Sequence, residues 1–164
     1  MNLNNLDKKF LINSFLVLLI FLMDRFSKIY VIYLDKKHLG SEIFSSKFLN
    51  ISLIWNEGIA FGLFSFDNKN TYNFLTMLII SVIIGILFMI IRSKSYERYA
   101  LLMILGGALG NVFDRIIYKG VPDFIDFHVG DFHWFIFNVS DIFITIGVIL
   151  MIFFEIIGKP KINQ

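Results

Sequence analysis

From Phe74 to Ile91 the chain runs without a single ionisable side chain, and no other feature limits its fold more. A stretch of this length matches the roughly 20 residues an α-helix needs to cross a hydrocarbon layer about 30 Å thick. Three further segments qualify by the same measure, about Phe10 to Tyr33, Ala100 to Tyr118 and Phe135 to Ile157. They explain a composition that is 57% hydrophobic and 17% charged over 164 residues. That is too apolar for one small soluble core, because a domain of this length leaves much of its surface wet. Low charge with high hydrophobicity excludes a disordered chain, and the absence of cysteine excludes a disulfide scaffold and thiolate chemistry. The expectation is an all-α membrane protein with four transmembrane helices, forming one domain over residues 1–164.

Basic residues orient the spans. Lys8 and Lys9, then Arg92, Lys94 and Arg98, then Lys159 and Lys161 fall at alternate ends of the four segments, which predicts that both termini are cytoplasmic. Lys36, Lys37, Lys47 and Lys69 lie in a long outer segment beside acids, where they count little. The Lys8-Lys9 pair resembles the start of a secretory signal. However, no small-residue cleavage site follows Met23, and the apolar pattern resumes from Ile29 to Leu34, so a retained helix is expected. In the outer segment 34–72, the alternation from Phe48 to Trp55 predicts a strand or hairpin, with turn chemistry at Asn56-Glu57-Gly58. The run from Ala60 to Phe64 is apolar enough to lie on the membrane surface.

Ionisable groups within a span cost about 2.5 to 3.5 kcal/mol each on insertion scales, so each calls for a partner or a function. Asp24 and Lys28 are spaced i, i+4 in the order that favours an ion pair. In the third segment Gly106 and Gly110 let another helix approach closely. Asn111, Asp114 and Arg115 then share one helical face, as an internal network or with the arginine aimed at peptide carbonyls of a substrate. Asn138 and Asp141 share a face of the fourth segment, with Asp141 about two turns inside it. If Asp123 of the preceding connection faces Asp141, the two carboxylates would share one proton, which is aspartic-protease chemistry without a metal. A proton-coupled transporter using Asp141 as carrier, or a structural membrane subunit, remains open on these residues alone. His128 and His133, beside Asp126 and Asp131, do not make a His-Glu-x-x-His helix. At i, i+5 in a loop they are not expected to present both rings on one side, and an interfacial role beside Trp134 is expected instead.

Taken together, the clusters resemble one family, the prolipoprotein signal peptidases or signal peptidase II, small four-span bacterial aspartyl proteases. The resemblance rests on Asp24-Arg25-Phe26-Ser27-Lys28, Asn56-x-Gly58-x-Ala60-Phe61, Gly106-Gly107-Ala108-x-Gly110-Asn111-x-x-Asp114-Arg115, Val121-x-Asp123-Phe124 and Phe137-Asn138-x-Ser140-Asp141, in that order along nearly the whole chain. It implies that Asp123 and Asp141 are the catalytic dyad and that Asn56, Asn111, Arg115 and Asn138 line or support the site. Asp24, Lys28 and Asp114 would hold it together. The implied substrate is a diacylglyceryl-modified prolipoprotein, cut just before the lipidated cysteine, near the outer face of the bacterial inner membrane. The resemblance further implies a small extracytoplasmic β cradle and an interfacial helix. The remaining expectations are contact with membrane lipid, no nucleic-acid partner, no cofactor or metal, and a monomer. Pro122 and Ser140 depart from the family's common valine and alanine, without removing a reacting group.

Overall fold

The computed structural model describes residues 3–58, 69–93 and 95–158. Four helices, α1 (Leu3–Lys37), α2 (Lys69–Arg92), α3 (Ser95–Tyr118) and α4 (Val139–Gly158), are joined by a small sheet of β1 (Phe44–Ser45), β2 (Leu49–Asn56), β3 (Val121–Val129) and β4 (Phe132–Phe137), which packs on α1 and α3. Stretches Asn73–Arg92, Tyr96–Tyr118 and Val139–Ile157 are long and apolar enough to cross a bilayer. The expected run from Ala60 to Phe64 lies outside the described residues.

The long helix α1 carries Asp24, Arg25 and Lys28 within its apolar length. These charges face inward. Lys28 is 0% exposed and Phe26, two residues earlier, is 67% exposed. In water that arrangement would be inside out, whereas in lipid it puts apolar rings against hydrocarbon and charges against protein.

Helix α3 is the central element, packed against α1, α2 and α4. Against α2 it buries Leu101, Leu105, Ala108 and Val112 around Ile83 and Ile86. Its glycines explain how α1 and α4 come so near. A Cβ on Gly107 would strike the Ser140 backbone carbonyl and Ile144 of α4, and one on Gly110 would strike both the Ser140 hydroxyl and the Asp24 carboxylate. Gly106, the other member of the small-residue pair, lies against Ile20 of α1. Close backbone approach gains dispersion contacts where the hydrophobic effect gives no help. At Gly110 it also lets polar groups of three helices meet.

Helix α3 ends at Tyr118, and Lys119 takes the left-handed conformation (φ 62°) that commonly closes a helix. The chain then enters a four-stranded antiparallel sheet in the order β1-β2-β3-β4. The strand expected near Phe48 to Trp55 is β2. The connection after α3 is more ordered than expected: it forms the hairpin β3–β4, turning at Gly130 (φ 60°) and Asp131. A glycine with positive φ opening a two-residue turn suits the twist of a hairpin. This corrects the expected start of the fourth span. Phe135 to Phe137 belong to β4, α4 begins at Val139, and Asp141 lies in its first turn rather than two turns inside it. An apolar aromatic strand running directly into an apolar helix leaves no hydropathy step at the boundary.

Candidate active site

The boundary is set by hydrogen bonding at Asn138. Its side-chain Oδ1 accepts from the Asp141 backbone N–H (3.2 Å), and the Asp141 carboxylate accepts from the Asn138 backbone N–H (3.2 Å). This is a reciprocal capping box, which satisfies donors that a helix start leaves without intrahelical partners. The remaining donor of Asn138, its Nδ2, reaches Asp123 Oδ1 at 2.6 Å. One buried asparagine therefore grips both carboxylates, one from β3 and one from α4.

The second oxygen of each acid is also held. Asn56, ending β2, donates from Nδ2 to Asp123 Oδ2 (2.8 Å), and its Oδ1 accepts from the Gly58 N–H (2.9 Å) in an Asx turn. The antiparallel pairing of Asn56 with Val121 and of Ile54 with Asp123 fixes that reach. Pro122 is accommodated within β3 opposite Trp55. On the other side, Asn111 of α3 donates from Nδ2 to Asp141 Oδ1 (2.8 Å). Burial is the largest cause raising the Asp123 carboxyl to about 6, followed by the nearby charge of Asp141. The hydrogen bonds from Asn138 and Asn56, and then the charge of Lys28, oppose that rise.

Beneath the two acids lies a buried ionic cluster. Lys28 Nζ contacts Asp24 (2.8 Å), Asp114 Oδ2 (2.7 Å) and Asn111 Oδ1 (2.9 Å). By occupying the Asn111 oxygen, Lys28 turns the amide nitrogen toward Asp141. Arg25 pairs with Asp24 (2.9 Å) and Asp114 (2.5 Å) and lies 4.9 Å from the Phe113 ring centroid. Two acids and two bases balance, as buried charges must if they are not to be left uncompensated. Asp24 Oδ1 also accepts from the Ser140 N–H (3.0 Å), placing a carboxylate at the positive end of the α4 dipole.

All nine site residues expected from sequence are among the described residues, and the i, i+4 pairing of Asp24 with Lys28 is formed. The Arg115 guanidinium donates to the peptide carbonyl of Gly58 (2.9 Å), tying the end of β2 to α3. Arg25 and the Ser140 backbone were not anticipated as site components. Charge arithmetic was the available signal for Arg25, but Arg115 beside Asp114 offered an equally plausible partner. The histidine expectation needs correction as well. His128 and His133 occupy paired positions across the β3–β4 hairpin, and their rings stack with centroids 5.0 Å apart, on one side of the sheet.

Residues 16–157 match the family described as signal peptidase (SPase) II. The chain belongs to the signal peptidase II family. A lipoprotein signal peptidase of Pelagibacter ubique (strain HTCC1062) is 49% identical over 161 residues, covering 98% of this chain and 96% of the relative. One from Anaplasma phagocytophilum (strain HZ) is 39% identical over 159 residues, covering 95% and 99%. Among solved structures, a bacterial membrane enzyme determined by the in meso method at 2.3 Å resolution superposes with a TM-score of 0.75 at 28% identity, covering 93% of each chain. Members of this family are aspartic peptidases that remove signal peptides from prolipoproteins, and the membership disfavours the transporter alternative.

Proposed function

We propose that Asp123 and Asp141 are the catalytic pair of this peptidase. The observation that carries the assignment is Asn138, which hydrogen-bonds to both acids and thereby holds the end of β3 against the first turn of α4. With two carboxyl groups in one buried setting, a single shared proton is the favourable state. The unprotonated member draws a proton from a water molecule as that water attacks the scissile carbonyl. The protonated member donates to the carbonyl oxygen, and the leaving amine then takes a proton as the tetrahedral intermediate collapses. Neither step needs a covalent acyl-enzyme. Asn56, Asn111 and Asn138 aim the carboxylates, and Asp24, Lys28 and Asp114, with Arg25, hold those asparagines and α4 in place.

The substrate is a precursor whose cysteine already carries diacylglyceryl, cut immediately before that cysteine. Its acyl chains remain in hydrocarbon, so the scissile bond sits at a membrane surface. The distribution of basic residues supports the outer face of the bacterial inner membrane, with α1 as a fourth span, both termini cytoplasmic and the sheet as an extracytoplasmic cradle. The protein acts as a monomer surrounded by lipid. Purified protein in detergent, given a purified lipidated precursor, should release the signal peptide. Asp123→Asn and Asp141→Asn should insert normally and release none, and normal cleavage by either variant overturns the assignment. An unlipidated precursor should remain intact.

A further inference from the structure

The β3–β4 hairpin gathers a second polar cluster that the peptidase chemistry does not use. Asp126 and His128 are two apart on β3, a spacing that places both on one face of a strand. His133 of β4 is the cross-strand partner of His128. His133 Nδ1 lies 2.8 Å from Asp126 Oδ2, and one potential ligand atom from each of the three residues falls within 4.8 Å of the others. Two polar atoms of these residues are orphaned. Asp126 Oδ1 and His128 Nδ1 are buried without a hydrogen-bond partner among the described residues, and Asp126 as a whole is only 6% exposed. Buried polar atoms are rarely left so, because each loses its hydration without replacement.

We propose that Asp126, His128 and His133 form a three-residue binding site for a divalent transition metal of the zinc class. Two imidazole nitrogens and one carboxylate oxygen suit a borderline ion, whereas calcium and magnesium favour all-oxygen sets. Ligand atoms around tetrahedral zinc stand about 3.3 Å apart for bonds of about 2.0 Å. The widest spacing in the cluster must therefore contract by up to about 1.5 Å, and the half-exposed His133 (51%) is the side chain with most room to move. The ion would satisfy both orphaned atoms and leave its fourth position to solvent. It would also cross-link the two strands of the hairpin, on the same strand that presents Asp123 but apart from the reacting groups.

The test uses the full chain in detergent, with any affinity tag removed and bound metal stripped by chelation, titrated with Co2+ as a spectroscopic stand-in. The expected result is a saturable ligand-field absorption at one equivalent, of the intensity typical of tetrahedral cobalt, that Zn2+ displaces. It should be lost in both His128→Asn and His133→Asn and retained in His38→Asn, the remaining histidine. The two hairpin variants should still cleave precursor in the presence of chelator, which shows that they fold. No saturable band in the wild-type protein overturns the proposal, and that measurement stands whether or not a variant folds. A band that survives in either folded hairpin variant overturns it equally.

Discussion

Replacing Asp123 by asparagine tests whether the carboxyl on β3 is held in the folded protein as the geometry requires. Its ordinary value of 3.8 rises to about 6 on folding, chiefly through burial. Below about pH 4 the group is protonated in both states and contributes no pH dependence. Between about pH 4 and 6 the unfolded chain releases a proton that the folded chain keeps, so stability falls as pH rises. Two units at 1.36 kcal/mol each give a loss of about 3 kcal/mol, complete above the folded value. The Asp123→Asn variant has no proton to release, so its stability should fall by about 3 kcal/mol less than wild type between pH 4 and 7. Absolute stabilities are a poorer comparison. Both Asp123 oxygens accept amide hydrogens, and an asparagine would turn its own NH2 toward one of those donors. Equilibrium unfolding in mixed micelles, followed by helix content at several pH values, measures the difference in slope. Parallel curves for wild type and variant would refute the claim that burial holds this proton.

Substitutions centred on three other positions, Lys28, Gly110 and Asn138, probe the supports. Lys28→Met leaves Asp24 and Asp114 against Arg25 alone and should destabilise by about 3 to 5 kcal/mol, with Asp114→Asn added to it recovering part of the loss in a double-mutant unfolding cycle. Gly110→Ala should separate α1 and α4 from α3, since its methyl would lie 2.6 Å from an Asp24 oxygen; reduced thermal stability and precursor cleavage report this, whereas Gly85→Ala, which meets nothing within 4 Å in the middle of α2, should reduce neither. Asn138→Ala should cost about 1 kcal/mol as a lost helix cap and move the alkaline limb of the cleavage profile upward, because its amide opposes the rise of Asp123. Asn138→Asp should keep most of the cap yet abolish cleavage by adding a third carboxylate.

How much of this was legible in the sequence follows from the physics of each signal. Charges inside apolar helices are expensive, so Asp24, Lys28, Asp114 and Asp141 stood out, and helical spacing was enough to pair Asp24 with Lys28. Strand β3 was harder. Val121, Pro122, Asp123 and Phe124 are all buried, which erases the period-two alternation that marks a half-exposed strand. The Gly130-Asp131 turn between two aromatic runs was readable as a hairpin signal, and recognising it would have set His128 opposite His133. Arg25 was ambiguous for another reason. Its partner Asp114 lies on a different helix beside a competing arginine, and only the packing of α1 on α3 decides between them.

The hydrogen bond from Ser140 to Asp24 spans 116 positions of sequence. It joins the first helix of the chain to the opening turn of the helix synthesised after all the others described. Asp141 belongs to that same turn, and its partner Asn111 is oriented by Lys28, one turn beyond Asp24 on α1. A partly made chain thus holds α1 with its acids and bases but lacks both Asp141 and the asparagine that grips Asp123. With Asp123 and Asp141 as the proposed catalytic pair, proteolytic competence arrives only when biosynthesis has delivered α4 and it has docked, so a nascent chain would carry no means of cleaving its neighbours before its own assembly is finished.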